Sequence, residues 1–314
     1  MKILVTGGSG FVGSSIVSSL LEKGISVRVL DKVEGRLAGF RHPNLELLLG
    51  SIESLETVET AVKGAEVVYH LAESYSSEPH QAIDIDVKGN IHLLQKAAEL
   101  GVKHYLFAST TRVYGKPEYT PLNEAHPCRP EISGRPIYAI AKFTNERLCL
   151  FYQREHGLPV TIFRFWWAYS SEIGGRALRN MTDAALRGEP LRVPGQSGGS
   201  FAHNDDIAQA FLLATLNSRA YGEIFNLSSG VSVTWEELAE MVCQASQSAS
   251  EITLVPPESW GGDPSLGVDA NIPEWWELSI EKARALLGYQ PRRPEEVKGT
   301  LREALSQLVA SRRK

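Results

Sequence analysis

Tyr138 and Lys142 stand four residues apart in Tyr138-Ala-Ile-Ala-Lys142. That offset places both polar groups on one face of a helix, one turn apart. A tyrosine phenol titrates near pH ~10, too high for a base at neutrality. A neighbouring ammonium stabilises the phenolate and draws the phenol toward working pH. Tyr138 is then able to take a proton from a hydroxyl while hydride leaves the same carbon. Tyr-x-x-x-Lys occurs by chance in many helices, so the pair gains weight only from companions. One is Ser109-Thr110-Thr111, just past the apolar run His104–Ala108. Hydroxyls there can hold a substrate oxygen, although turn and cap hydroxyls look the same in a sequence.

The second companion is Thr6-Gly7-Gly8-Ser9-Gly10-Phe11-Val12-Gly13. Glycine at Gly7, Gly10 and Gly13 suits a turn in which side chains would block a diphosphate from the backbone N–H groups and the helix N-terminus. A strand before it and a helix after it make a dinucleotide loop the better reading. Asp31 lies eighteen residues beyond Gly13, near the expected offset of ~20, where a carboxylate accepts from ribose hydroxyls and repels a 2′-phosphate. The alternative is a surface turn residue. The reading is NAD rather than NADP, tempered by Lys32 alongside.

These residues need strands and helices to hold them. Lys2–Thr6, Ser26–Leu30, Leu45–Leu49, Glu66–His70, His104–Ala108 and Val160–Phe165 are continuous aliphatic runs, the pattern of strands covered on both faces. Between them Gly13–Lys23, Ser54–Val62, Asp86–Leu100 and Tyr138–His156 carry helical spacing; Leu94, Ala97 and Ala98 share a face. Strict alternation predicts an α/β fold, a Rossmann-like doubly wound parallel sheet. Beyond about residue 168 the pattern loosens, with glycine and proline at Gly188–Gly199 and Pro256–Pro273. Asn204–Leu216, Thr234–Ala245, Ile280–Leu287 and Pro294–Val309 read as helices and Glu223–Leu227 as a strand. The expected division is a cofactor domain of 1–168 plus about 202–228, with a smaller interleaved α/β substrate domain of about 169–201 and 229–314.

The 314 residues are 43% hydrophobic and 22% charged, with 32 Lys and Arg against 37 Asp and Glu. A net charge of −5 gives no global attraction for nucleic acid or an anionic membrane. Cys128, Cys149 and Cys243 form no disulfide framework and no metal-ligand spacing, so no metal is expected and the cytoplasm is the expected compartment. The opening MKILVTGG is too short in apolar residues for a signal-peptide core. No run approaches the ~18 apolar residues of a membrane helix.

Taken together these segments resemble the extended short-chain dehydrogenase/reductases, the NAD-dependent epimerase/dehydratase family, over essentially the whole chain. Thr6–Gly13 is similar to the family's TGxxGxxG, with Phe11 and Val12 inside it, and His70-Leu71-Ala72 to its HLA turn along the cofactor. Ser109-Thr110-Thr111-Arg112-Val113-Tyr114-Gly115 resembles its SSxxVYG, which implies Thr110 as the catalytic hydroxyl and Ser109 as a cofactor contact. Tyr138 and Lys142 match its YxxxK, while Phe225-Asn226-Leu227 and Leu286-Leu287-Gly288-Tyr289 resemble its C-terminal landmarks. The resemblance implies a tightly held NAD, a sugar-like small-molecule substrate in a cleft between two domains, and a homodimer through Asp86–Leu100 and Tyr138–His156.

Departures bear mainly on the substrate. Gly50-Ser51 replaces Gly-Asp, leaving adenine contact to Ser51 and the Ile52 backbone, and Asp86 replaces the Asn of NVxGT. Phe165-Trp166-Trp167 follows Arg164 where the family has an Asn. Gly199-Ser200-Phe201-Ala202-His203-Asn204-Asp205 lacks the family's arginine, and none stands near Trp275-Trp276-Glu277. Those two arginines clamp a nucleotide-sugar diphosphate, a task to which an indole is unsuited. Trp166, Trp167, Trp260, Trp275 and Trp276 are candidates to stack on a sugar ring, or else core packing or a dimer contact; Arg192 is a candidate replacement charge. Thr111-Arg112 has no carboxylate, which disfavours elimination of the 4,6-dehydratase type. Glu73 and Glu124 are the alternative acid–base candidates, Glu73 beside the nicotinamide or simply in a solvated loop. Epimerase and non-nucleotide dehydrogenase rank nearly level, ahead of a non-catalytic NAD-binding regulator.

Overall fold

The computed structural model describes residues 1–172, 176–263, 275–292 and 294–313. Seven strands, β1 (Lys2–Thr6), β2 (Ser26–Asp31), β3 (Leu45–Leu49), β4 (Val67–His70), β5 (His104–Thr110), β6 (Val160–Phe165) and, late in the chain, β11 (Glu223–Leu227), form one sheet. Their order is β11-β6-β5-β4-β1-β2-β3, and every pairing is parallel. The expected doubly wound sheet is present. Because strand side chains alternate, Ile3 and Val5 pack on one face with α1 (Phe11–Glu22) and α7 (Asn204–Ala214), whereas Leu4 packs on the other. That second face is covered by α2 (Leu55–Val62), α4 (Lys88–Glu99) and α5 (Pro136–His156).

The edge strand β3 departs from the expectation of cover on both faces. It buries no residue fully, and Leu49 is 54% exposed. Among the described residues nothing pairs beyond it in the sheet. The helix expected over Asp86–Leu100 also starts earlier: a short α3 (Pro79–Gln81) runs through a π-helical turn, Ala82–Val87, into α4. Helix α5 begins at Pro136, which occupies its first turn and lacks only an N–H that would find no helical partner there. It ends at Gly157, whose φ of +66° makes the left-handed cap.

The loosely patterned stretch is more regular than expected. It holds α6 (Arg176–Leu186) and the short strands β7 (Ala168–Tyr169), β8 (Leu191–Pro194), β9 (Gly198–Ser200) and β10 (Ala202–His203). After β11 come β12 (Ser232–Thr234), α8 (Trp235–Ser246), β13 (Ile252–Val255), β14 (Trp275–Trp276), α9 (Glu281–Leu287) and α10 (Pro294–Arg312). Thr234 and Glu237 close a capping box on α8. Helices α6, α8 and α10 enclose a second core around Met181, Phe201, Trp235 and Leu301. The glycine- and proline-rich Pro256–Pro273 lies mostly outside the described residues.

Candidate active site

Three strand ends meet at the carboxyl edge of the sheet, the ligand side of a doubly wound fold. After β1, Gly7 has a φ of +72°, and its N–H donates to the Leu30 carbonyl at 2.9 Å. A Cβ on Gly7 would lie 2.7 Å from the Ala72 nitrogen, and one on Gly13 2.2 Å from the Gly7 oxygen. Neither position admits a side chain. Gly10 caps α1 in extended backbone and is exposed at the mouth of the loop. Phe11 and Val12 are half-buried in the first turn, and the Leu71 N–H donates to the Thr6 carbonyl at 3.0 Å.

Asp31, at the end of β2, accepts from the Ser9 N–H at 3.0 Å and from the Lys32 N–H at 2.8 Å. It thereby fixes the loop and presents its carboxylate beside it. Lys32 pairs with Glu53 at 2.9 Å, and the Ser51 hydroxyl donates to the same carboxylate at 2.7 Å. Ile52 is buried, its carbonyl 3.1 Å from His92 Nδ1. Arg36 lies over the Phe11 ring at 5.0 Å and makes a two-pronged pair with Glu172. Both cations nearest Asp31 on this loop are thus matched by carboxylates. A glycine cradle with no room for a Cβ, beside the Asp31 carboxylate, fits NAD.

Thr110 ends β5. Its oxygen accepts the Arg112 N–H at 3.2 Å, and its side chain is a polar neighbour of the Tyr138 phenol. Lys142 lies one turn further along α5, with Nζ 5.9 Å from the centre of the Tyr138 ring and 5.0 Å from that of Phe107. It donates to the Ala108 carbonyl at 2.8 Å and pairs with Glu73 at 2.6 Å. Burial holds the Tyr138 phenol well above its ordinary value, and the Glu73 carboxylate and Tyr75 push the same way; Thr110 and Arg135 oppose them. The simple expectation that Lys142 draws the phenol toward neutrality is therefore incomplete, because Glu73 answers the lysine's charge. His70, bonded to Thr6 Oγ1 at 2.7 Å, is depressed to about 3 by burial and by Lys142.

Other candidate residues have mixed placements. Ser109 turns its hydroxyl to buried Glu146 at 2.6 Å, and Thr111 is buried with no hydroxyl partner among the described residues. Glu124 accepts the Asn226 N–H at 2.7 Å, which ties it to β11. Trp166 packs against Gly199, where a Cβ would meet its ring at 2.3 Å, and Trp167 stacks on Phe201 at 5.2 Å. Both are half-buried, whereas Trp260 and Trp276 are core residues. Trp275 donates its indole N–H to Glu277 at 3.0 Å, and Arg192 is exposed on β8.

Reading along the chain missed the residues that hold these in place. Arg164 clasps Glu146 at 2.8 and 2.6 Å. The Tyr75 ring lies tilted against Tyr138 at 5.1 Å, beneath Arg135 at 4.2 Å. The extra carboxylate of Asp86 was visible as a departure, but its partner, Ser74, was not. Among the described residues no group of three His, Cys, Asp or Glu is arranged to hold a metal, and no helix is long and apolar enough to cross a membrane.

The sequence pattern of the NAD dependent epimerase/dehydratase family matches residues 3–228. UDP-glucuronic acid decarboxylase 1 of Arabidopsis thaliana is 29% identical over 327 aligned positions, spanning 99% of this chain and 69% of that one. Among solved structures, the UDP-glucose 4-epimerase of Thermotoga maritima with UDP-glucose superposes with a TM-score of 0.80 at 29% identity, covering 100% of this chain and 99% of the other. The UDP-glucose 4-epimerase of Thermus thermophilus in complex with NAD gives 0.79 at 27%, with coverage of 98% and 99%.

Proposed function

The chain belongs to the NAD-dependent epimerase/dehydratase family, and from that premise we propose that it oxidises a secondary alcohol of a nucleotide sugar and returns hydride to the resulting ketone, as an epimerase. The observation that carries this reading is the buried Tyr138 and Lys142 one turn apart on α5, with Nζ 5.9 Å from the phenol ring, at the end of β5 and beside a glycine cradle. Thr110 Oγ1 orients the substrate oxygen. Tyr138 Oη receives its proton as the C–H hydride leaves, and gives it back when hydride returns. Bound at Gly7–Gly13 and Asp31, NAD supplies the hydride acceptor. Lys142 holds its ribose with an N–H that the Ala108 carbonyl leaves over. The nucleotide-sugar class is supported by relatives that act on or bind UDP-sugars.

A second reading, a dehydrogenase acting on a substrate without a nucleotide, is favoured by one observation. Where the diphosphate-clamping arginines are expected, Gly199 lies under Trp166 and Trp275 pairs with Glu277. Incubation of the NAD-loaded protein with UDP-glucose, UDP-galactose, UDP-glucuronic acid and the free sugars separates the two. Inverted C4 product by NMR without net NADH supports the epimerase; stoichiometric NADH on a free sugar replaces it with the dehydrogenase. Tyr138→Phe and Lys142→Ala each lower turnover at least ~100-fold, and unchanged turnover in both ends the mechanism.

We read residues 1–168 and about 202–228 as the cofactor domain, and 169–201 and 229–314 as the substrate domain. The protein is proposed to be a homodimer, on the support of exposed Ile140 and Phe151 along α5. Its three free cysteines suit the cytoplasm.

A further inference from the structure

We propose that Glu73 is a positioning residue of the proton-transfer group, a carboxylate that fixes the Lys142 ammonium and sets a negative charge against the Tyr138 phenol. This rests on the roles given above to Tyr138 and Lys142. An ammonium has three N–H donors. At Lys142 one reaches the Ala108 carbonyl, and the Glu73 carboxylate pairs with the ammonium at 2.6 Å, with both side chains largely removed from solvent. The bond to Ala108 and the charge of Glu73 together hold the ammonium in one place, as a ribose contact requires.

The placement of Glu73 is built, because its turn is tied at two points to the machinery of α5. The Ser74 N–H and hydroxyl both donate to buried Asp86, at 2.6 and 2.8 Å, and Asn145 of α5 donates to the Asp86 carbonyl at 3.0 Å. Tyr75 takes a φ of +57°, which side chains rarely adopt. That conformation brings its ring to 5.1 Å from Tyr138, while Arg135, which caps α5, donates to the Tyr75 carbonyl at 3.0 Å. Asp86, the departure from Asn, is therefore the anchor of the turn that carries Glu73.

The groups facing Tyr138 come from three directions. Glu73 and Tyr75 approach from the segment after β4, Thr110 from the end of β5, and Arg135 and Lys142 from α5 and its cap; Arg112 faces Tyr75. Glu73 is the one carboxylate among them, and it opposes the phenolate. Replacing it by Gln keeps the shape and an acceptor and removes the charge.

The test reads Tyr138 directly and needs no substrate. Tyrosinate absorbance of the NAD-saturated protein is titrated, and the same titration of its Tyr138→Phe counterpart is subtracted. Glu73→Gln lowers the Tyr138 midpoint by about one pH unit, whereas Glu73→Asp stays near wild type. An unmoved midpoint in folded, NAD-binding Glu73→Gln overturns the proposal. If that variant does not fold, Asp86→Asn, which slackens the turn, moves the midpoint in the same direction, and no movement there overturns it as well. Full turnover in Tyr138→Phe would instead sink the functional reading and leave this charge measurement standing.

Discussion

Glu146 is fully buried on α5, and its carboxylate is answered by the Ser109 hydroxyl and by Arg164, itself buried on β6 with its guanidinium 4.7 Å from the Tyr114 ring. Burial works against the charge on Arg164, but the bonds from Glu146 outweigh it and hold the guanidinium above its ordinary value. Removing one partner strands the other without solvent. Arg164→Met should cost about 3–5 kcal/mol in chemical denaturation, while Glu146→Gln with Arg164→Met should cost much less than the sum of the singles. Additive losses would show that the two charges do not depend on each other. At the phosphate loop, Gly13→Ala places a Cβ 2.2 Å from the Gly7 oxygen and should weaken NAD binding at least ~10-fold by calorimetry while the sheet still folds. Gly13, Tyr138 and Lys142 announce themselves because their spacing is local. Glu146 with Arg164, and Ser74 with Asp86, meet only through the fold, and no motif spacing marks either pair.

His104 joins three elements at once. On β5, its Nδ1 accepts the Leu216 N–H beyond the end of α7 at 3.1 Å, and its Nε2 meets Thr161 of β6 at 2.9 Å. An accepting Nδ1 fixes the neutral tautomer. Burial accordingly lowers its pKa from 6.5 to about 3. The unfolded chain therefore binds a proton that the native one refuses: stability is full above about pH 6.5 and falls as pH drops toward 3, by about 1.4 kcal/mol per pH unit for each such group. His70, also at about 3, adds to the same slope. Urea unfolding of His104→Gln between pH 4 and 6 should show the slope reduced by one proton, and an unchanged slope would assign acid lability elsewhere. The elements so joined were mostly legible. β1, β3, β6 and β11 have the expected bounds, because continuous aliphatic runs have no other stable use in an alternating chain. Helix α6 and the short strands β7 to β10 were not legible: strands of two to four residues are too brief to show a period. The cover on β3 was misread because an edge strand and a central one share the same leucines.

At the scale of the whole molecule, the segment after β2 is linked to the later part of the chain by Arg36 and Glu172. One outer face of the sheet domain still carries apolar side chains. Along α5, Ile140 and Phe151 are 39% and 44% exposed, and Phe143 lies between them with Arg147 stacked on it at 4.9 Å. Positions 140, 143, 147 and 151 repeat at three- and four-residue intervals, so they form one stripe. The opposite side of α5 supplies Tyr138, Lys142 and Glu146 to the interior. If two copies pair through this stripe, dimerisation also stiffens the helix that holds the catalytic pair. Ile140→Asp with Phe151→Asp places two charges in that contact, where desolvation opposes them. Sedimentation equilibrium should find a wild-type dimer and a monomeric double variant that still binds NAD, with turnover reduced several-fold through the loosened α5. A wild-type monomer at micromolar concentration would remove the dimer, and a monomeric variant with full turnover would uncouple assembly from catalysis.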